Sequence, residues 1–412
     1  MRGRPPLDAL VAAAVFVATA AAVTAAWQWS GNAITDIPLY RTYGERIANG
    51  LVPYRDFGFE YPPGALPALV LPALVTDTLT AYRIVFAAEL AAVGAAGVLL
   101  LSAALARLGR STAQRRVALS AVALAPLLLG GVVLTRFDLL PAALVTGSLL
   151  LAVSGRHRGA ALVTGLGIAV KLYPAVLVPL LAVTAYRRGG RPDLGRTLAL
   201  TAAPAVVLYL PFFVLSPGGV LDSFGRQLGR PLQIESLGAG ILLALHQLAD
   251  TSLGWASGAG SQNLTGPGTT TLAVTLGVAQ VVAVVLVWVS YARRGAVTSE
   301  RLVRHAAAAV VAFVALSKVL SPQFLVWLVL LVPLVAPPRG RAAFGLTALA
   351  CALTAVWFPL RYWELVREFD PLASWLVLAR GLTLLVLLVV LIRATESEQV
   401  RSRWPAPSPG RT

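Results

Sequence analysis

Residues 271–294 read TLAVTLGVAQVVAVVLVWVSYARR: 22 residues without a charge, closed by Arg293 and Arg294. At about 1.5 Å per residue, a helix of that length reaches across a bilayer core of roughly 30 Å. Runs of the same kind, stopped by short arginine clusters, return along the whole chain. Composition agrees. Of the 412 residues, 57% are hydrophobic and 13% charged, against about 25% charged in soluble domains. The fold class expected is an all-α polytopic membrane protein.

Membrane segments are expected near 8–28, 84–106, 117–134, 138–154, 159–170, 175–185, 197–215, 271–292, 303–319, 323–335, 342–360 and 372–393, twelve in all, with both termini cytoplasmic. Charge tests this parity. The segments assigned to the cytoplasm hold 22 Arg/Lys and 5 Asp/Glu, the outer ones 11 and 12, with Glu89 and Arg380 inside spans. That asymmetry is the positive-inside pattern. It also accounts for the net charge of +16 without nucleic-acid binding, since the arginines sit between apolar runs. Met1-Arg2-Gly3-Arg4 followed by an apolar run resembles a secretory signal; with further spans downstream it reads as an uncleaved first span. The lone Cys351 and the scattered His157, His246 and His305 supply no disulfide framework and no zinc-ligand spacing.

Segments 159–170 and 175–185 are too short to cross singly, and arginines flank both outer ends of the pair. They read as a hairpin broken at Lys171-Leu172-Tyr173-Pro174. The pair 303–319 and 323–335 reads likewise, broken between Lys318 and Pro322. Proline removes a helix donor and clashes with the preceding turn, and broken backbone at membrane depth needs protein or a wet cavity around it. Two outer loops are long, 29–83 and 216–270, and carry apolar runs at 63–75 and 236–249 suited to the interface. Residues 1–393 form one membrane domain, and the Pro-, Ser- and Arg-rich stretch 394–412 reads as a disordered cytoplasmic tail.

Chemistry-bearing residues gather on the outer side. Asp36, eight residues past the first span, is a carboxylate that could take a proton from a substrate hydroxyl; it could equally cap a helix starting at Pro38. Glu60 is a second carboxylate or an exposed residue before a turn, and Tyr61-Pro62-Pro63 stiffens the next run. Arg136 and Asp138 form a site pair or a local ion pair. Lys171 and Lys318 are the only lysines beside 32 arginines, and both fall at broken tips where a lipid-linked phosphate could reach them; snorkelling is the alternative. Arg226, Arg230, Gln233 and Glu235 suit phosphate or sugar hydroxyls; by composition alone they read as a solvated loop. Ser321, Gln323 and Trp327 complete the set.

In order and spacing, Asp36, Pro53-Tyr54-Arg55-Asp56-Phe57, Tyr61-Pro62-Pro63, Arg136-x-Asp138, Lys171-x-Tyr173-Pro174, Arg230 to Ser236 and Ser321-Pro322-Gln323 with Trp327 resemble glycosyltransferase family 87 over roughly residues 30–335. The resemblance implies a GT-C-type fold and a polyprenyl-phosphate-mannose-dependent α-mannosyltransferase-like activity. It makes Asp36 the general base of an inverting transfer. Lys171, Arg226, Arg230 and Lys318 match basic positions near the donor phosphate. Glu60, Tyr61, Arg136, Asp138, Tyr173, Gln233, Glu235 and Gln323 complete the expected substrate site. The first loop lacks an Asp-x-Asp motif, so a metal-independent reaction is expected, without cofactor. The expected partners are a polyprenyl-phosphate sugar, a glycolipid or cell-envelope glycan acceptor and the lipid bilayer, at the plasma membrane with the active site outside. The rival class is a transporter or flippase of a lipid-linked sugar, since broken hairpins and intramembrane cations serve there too.

Overall fold

Helix limits follow caps, prolines and glycines. The computed structural model describes residues 6–29, 34–293 and 296–393, so the expected tail 394–412 lies outside the described residues. α1 (Leu7–Trp29) is the first apolar run, and α2 (Ile37–Ala48) begins directly after Asp36. Tyr61-Pro62-Pro63 leads through one 3-10 turn into α3 (Leu66–Leu74). Thr78 opens α4 (Leu79–Arg107) by accepting the Ala81 N–H at 3.2 Å. Ser111 and Gln114 cap α5 (Thr112–Leu124) reciprocally.

The span expected at 117–134 is corrected here. It is three pieces: α5, α6 (Pro126–Leu129) and α7 (Val132–Thr135). Pro126 and Gly130, at φ +69°, interrupt it. α8 (Leu139–Val153) and α9 (His157–Val170) follow. The helix then breaks at Lys171 (φ −157°, ψ 140°) and resumes as a 3-10 turn and α10 (Val178–Leu215). α10 itself leaves helical geometry at Gly189 and Gly190, which separates the expected spans 175–185 and 197–215.

α11 (Pro217–Leu228) and α12 (Leu237–Ala249, capped by Ser236) occupy the second long loop. The all-α expectation also needs correcting in this loop. β1 (Gly254–Gly258) and β2 (Ser261–Thr265) pair antiparallel around Ala259-Gly260, both at positive φ. Such a two-residue turn matches the twist of a hairpin. α13 (Thr269–Arg293) and α14 (Ser299–Ala315) come next, then a broken stretch, α15 (Leu325–Leu331), α16 (Arg339–Trp357), α17 (Tyr362–Glu368) and α18 (Pro371–Ile392).

The chain is mostly helical, and among the described residues six stretches are long and apolar enough to cross a membrane: α1, α4, the run through α10, α13, α16 and α18. It is a multi-pass membrane protein. Both proline-broken pairs are hairpins. His157 meets Arg188 across the ends of α9 and α10. Arg110 binds Glu300 at the start of α14 (2.6 Å) and the Leu334 carbonyl just past α15 (2.9 Å). The arginine-rich segments therefore meet at one end of the bundle, and the hairpin tips and long loops meet at the other.

The run at 63–75 docks on a tip. Gly64 lies so close to α9 that a Cβ there would stand 2.5 Å from the Ala169 carbonyl oxygen. The other run, α12, packs along α18.

Candidate active site

The first long loop folds on aromatic rings of its own and on Phe86 of α4 and Phe137 beyond α7. Tyr40 packs on Phe86 and Phe137, Tyr43 on Phe59, and Tyr61 on Phe137 at 4.9 Å between centroids. The Tyr54 hydroxyl donates to the Tyr61 carbonyl at 2.5 Å. α11 is pinned to this loop from above: Ser216 donates to the Tyr54 carbonyl (3.1 Å), Ser223 to Phe59 (2.8 Å) and Gln227 to Glu60 (3.1 Å). The two long loops thus form one roof over the hairpin tips.

Asp36 occupies the N-cap position of α2, but its side chain caps nothing. It turns to Arg136, whose Nη1 stands 2.5 Å from Oδ2, and the Tyr40 hydroxyl lies 3.4 Å from the same oxygen. The Arg136 contact is a charge contact rather than an aligned hydrogen bond, because Nη1 and Nε have no acceptor along their N–H directions. The Arg136 side chain is 7% exposed and that of Asp36 32%. A solvent-reachable carboxylate therefore sits on a buried guanidinium with unused donors.

Asp138 and Lys171 are brought together but lie deeper. Lys171 Nζ donates to Asp138 Oδ1 at 2.7 Å, and Trp327 Nε1 donates to the same oxygen at 2.7 Å. The ammonium also lies over the rings of Phe137, Trp327 and Phe324, at 4.9, 5.4 and 5.6 Å. Tyr173 stacks on Trp327 at 3.8 Å between centroids. Its hydroxyl and Asp138 Oδ2 are buried without partners.

The second loop supplies the other wall. Residues 232–234 lie as a third rung on the hairpin: Leu264 N–H donates to the Leu232 carbonyl (2.9 Å) and Ile234 N–H to Gln262 (3.0 Å). On the opposite side, Gln233 N–H donates to the Lys318 carbonyl at 3.0 Å. The Gln233 side chain donates to Glu235 and, at 2.8 Å, to Ser321. Glu235 is 2% exposed. Burial pushes its carboxyl up to about 7, opposed by Arg380, Arg136, Ser321 and Arg230.

Glu60 is half-buried under the hairpin turn. Burial raises its carboxyl above the usual range, Arg230 and Arg226 oppose this, and Asp36 adds to it. Burial lowers the pKa of Arg230, against the pull of Glu60, Tyr61, Asp36 and Glu235. The charged groups of both loops therefore feel one another across one space.

Three cations in this space have no carboxylate partner among the described residues. Arg230 Nε is buried without an acceptor. Arg226 rests against Gly58. Lys318 donates only to the Leu228 carbonyl at 2.8 Å. Gln323, in the 3-10 turn Pro322–Phe324, makes no side-chain hydrogen bond among the described residues and stays at the margin. No group of three or more His, Cys, Asp or Glu among the described residues is placed to hold a metal ion.

Two residues of this centre lie outside the sequence-derived set. Arg380 is fully buried nine residues into α18, with its guanidinium 5.5 Å from the centre of the Trp357 ring. It donates to the Glu235 carbonyl, and its Nε and Nη1 have no acceptor. The signal was present: a charge within an apolar run is expensive enough to imply a role. Tyr362, close enough to feel Glu235, Arg136 and Asp36, carried no such signal.

The arrangement can accept a proton at Asp36 and hold an anion with Arg230, Arg226 and Lys318. No curated protein matches the chain. The family model of glycosyltransferase family 87 matches residues 59–322, a stretch that holds all the expected site residues except Asp36, Gln323 and Trp327. The chain therefore belongs to glycosyltransferase family 87 and is a membrane glycosyltransferase.

Proposed function

We propose that this glycosyltransferase moves a hexose, with mannose the sugar expected, from a polyprenyl-phosphate donor to a glycolipid or cell-envelope glycan. The reaction takes place on the non-cytoplasmic face of the plasma membrane, with inversion and without a metal. The GT-C-type architecture and the twelve-segment topology belong to the same reading. The observation that carries it is the pairing of a reachable carboxylate, Asp36, with cations that have no carboxylate of their own, Arg230, Arg226 and Lys318.

The steps follow from that geometry. The acceptor hydroxyl donates its hydrogen to Asp36, and its oxygen attacks the anomeric carbon as the bond to the phosphate oxygen breaks on the opposite face. The proton ends on Asp36 and the electron pair on the departing polyprenyl phosphate. Preorganised guanidinium and ammonium groups in a water-poor site stabilise the charge that grows there. Arg136 orients the Asp36 carboxylate from one side and leaves Oδ1 free of hydrogen bonds among the described residues. The lipid tail of the donor lies in the bilayer and supplies positioning.

Purified Asp36→Asn protein, given labelled polyprenyl-phosphate mannose and a glycolipid extract, tests the assignment. Turnover should fall by about 100- to 10,000-fold, the usual span of a general base. Full transfer by this variant would remove Asp36 as the base. Lipid movement across vesicles with no new glycosidic bond would favour the transporter reading.

A further inference from the structure

At the arginine-rich end, away from the site above, α5, α15 and α16 enclose a two-part crevice. The deeper part has about 310 Å³ and is lined by Leu124, Leu328, Phe344, Thr347 and Cys351, among others. The outer part has about 280 Å³ and is lined by Arg110, Gln114, Val117, Arg341 and Phe344. Pro333 and Phe344 line both, so the two parts adjoin. Along α16 the crevice runs from Gly340 to Cys351, about 16 Å at 1.5 Å per residue. That is about half of a roughly 30 Å hydrocarbon core, the depth of one leaflet.

The chemistry changes along that depth. The Thr347 hydroxyl is satisfied by the Ala343 carbonyl at 2.9 Å, so the deep part offers a ligand no free hydrogen-bonding group from that residue. A cavity so lined takes up an apolar group in preference to water. The mouth is cationic. Arg110 is fixed by Glu300 and the Leu334 carbonyl, but its buried Nε has no acceptor. Arg341 is exposed and has no carboxylate within ion-pair distance among the described residues. Arg339 flanks it one residue before Gly340.

We propose that this crevice binds one anionic glycerophospholipid from the leaflet at the arginine-rich end. An acyl chain fills the deep part, and the phosphate meets Arg341, beside an Arg110 already neutralised by Glu300. Charge complementarity selects this occupant over a zwitterionic lipid, whose headgroup brings its own cation to the same mouth. Basic residues at a membrane surface favour anionic lipid by about fivefold each.

The test is native mass spectrometry of the full chain, released from nanodiscs holding equal phosphatidylglycerol and phosphatidylcholine. The wild type should retain one phosphatidylglycerol per chain, about fivefold over phosphatidylcholine. Arg341→Gln, an exposed change, should erase that preference while leaving total retained lipid unchanged. Ala348→Phe, which fills the deep part, should lose both lipids. Equal retention of the two lipids by the wild type, or a preference that survives Arg341→Gln, overturns the proposal. So does a delipidated dimer, which would make a second copy the occupant. If Ala348→Phe fails to fold, the wild-type ratio and Arg341→Gln still decide the outcome.

Discussion

The two hairpin tips look alike in sequence and differ in space. Each has a lysine between the end of a helix, at Val170 or Ala315, and a proline in the first turn of the 3-10 segment that follows. Lys171 is enclosed: its ammonium is paired with Asp138, whose side chain is 1% exposed, and covered by Phe137, Phe324 and Trp327. Among the described residues, Lys318 meets only a backbone carbonyl and lies beside Arg230, which also has no carboxylate partner there. Position at a break does not decide what a charge does. What decides is whether a carboxylate is buried within reach. The first tip holds the bundle together around an ion pair, and the second keeps a charge available.

The most direct way to break this contrast is Asp138→Ala. It strands Lys171 in a largely buried place and should lower stability by about 3 to 5 kcal/mol, the range for removing one partner of a buried pair. Thermal unfolding in detergent reads this. The double change Lys171→Met with Asp138→Leu should recover much of the loss, because well-packed apolar groups replace buried pairs at little cost. An unstable double variant would show that the charges themselves are required.

Lys318→Met should do the opposite. Stability should move by no more than about 1 kcal/mol, the scale of one half-exposed hydrogen bond. Donor KM should rise by about tenfold, the effect of losing roughly 1.4 kcal/mol of charge-assisted contact. An unchanged donor KM would place Lys318 outside the phosphate site. Trp327→Phe keeps the stack on Tyr173 and removes only the indole donor to Asp138. It should cost about 1 to 3 kcal/mol, the penalty for leaving a buried acceptor underused, with donor kinetics near wild type.

The smallest effect is a pH profile, and it belongs to the Lys318 tip, because Gln233 links Glu235 to that lysine. Burial raises the Glu235 pKa to about 7, so this carboxyl is neutral below that value and anionic above it. A negative charge there repels the donor phosphate. Donor KM should therefore rise several-fold between about pH 6 and about pH 8, and Glu235→Gln should flatten the rise. The same group contributes stability that is complete below its unfolded pKa and lost as pH rises through about 7.

Much of this was legible in the sequence, because the bilayer makes helices announce themselves through length and composition. The proline-broken tips at Lys171 and Pro322 were legible for the same reason: proline acts locally. The breaks at Pro126 and Gly130 carried the same local signal and were read through as one span. Pairings were not legible. Nothing in Asp138 and Lys171, 33 residues apart, tells an ion pair from two ligands for one phosphate. The β1–β2 hairpin escaped because, apart from the Trp255–Leu264 pair, its residues are small or polar, with no alternating apolar face. Arg380 was visible as a charge in a span, but its contact with Glu235, 145 residues away, is a product of the tertiary fold.

The joint between the two long loops has a consequence for how such an enzyme can diversify. Ser216, Ser223 and Gln227 all grip main-chain carbonyls, so the identity of the side chains at residues 54, 59 and 60 is irrelevant to those bonds. The burden of keeping the roof closed falls on one helix. Substitution of the Glu60 side chain therefore leaves the clamp above it shut, and the proposed substrate site can change there without the scaffold having to be rebuilt.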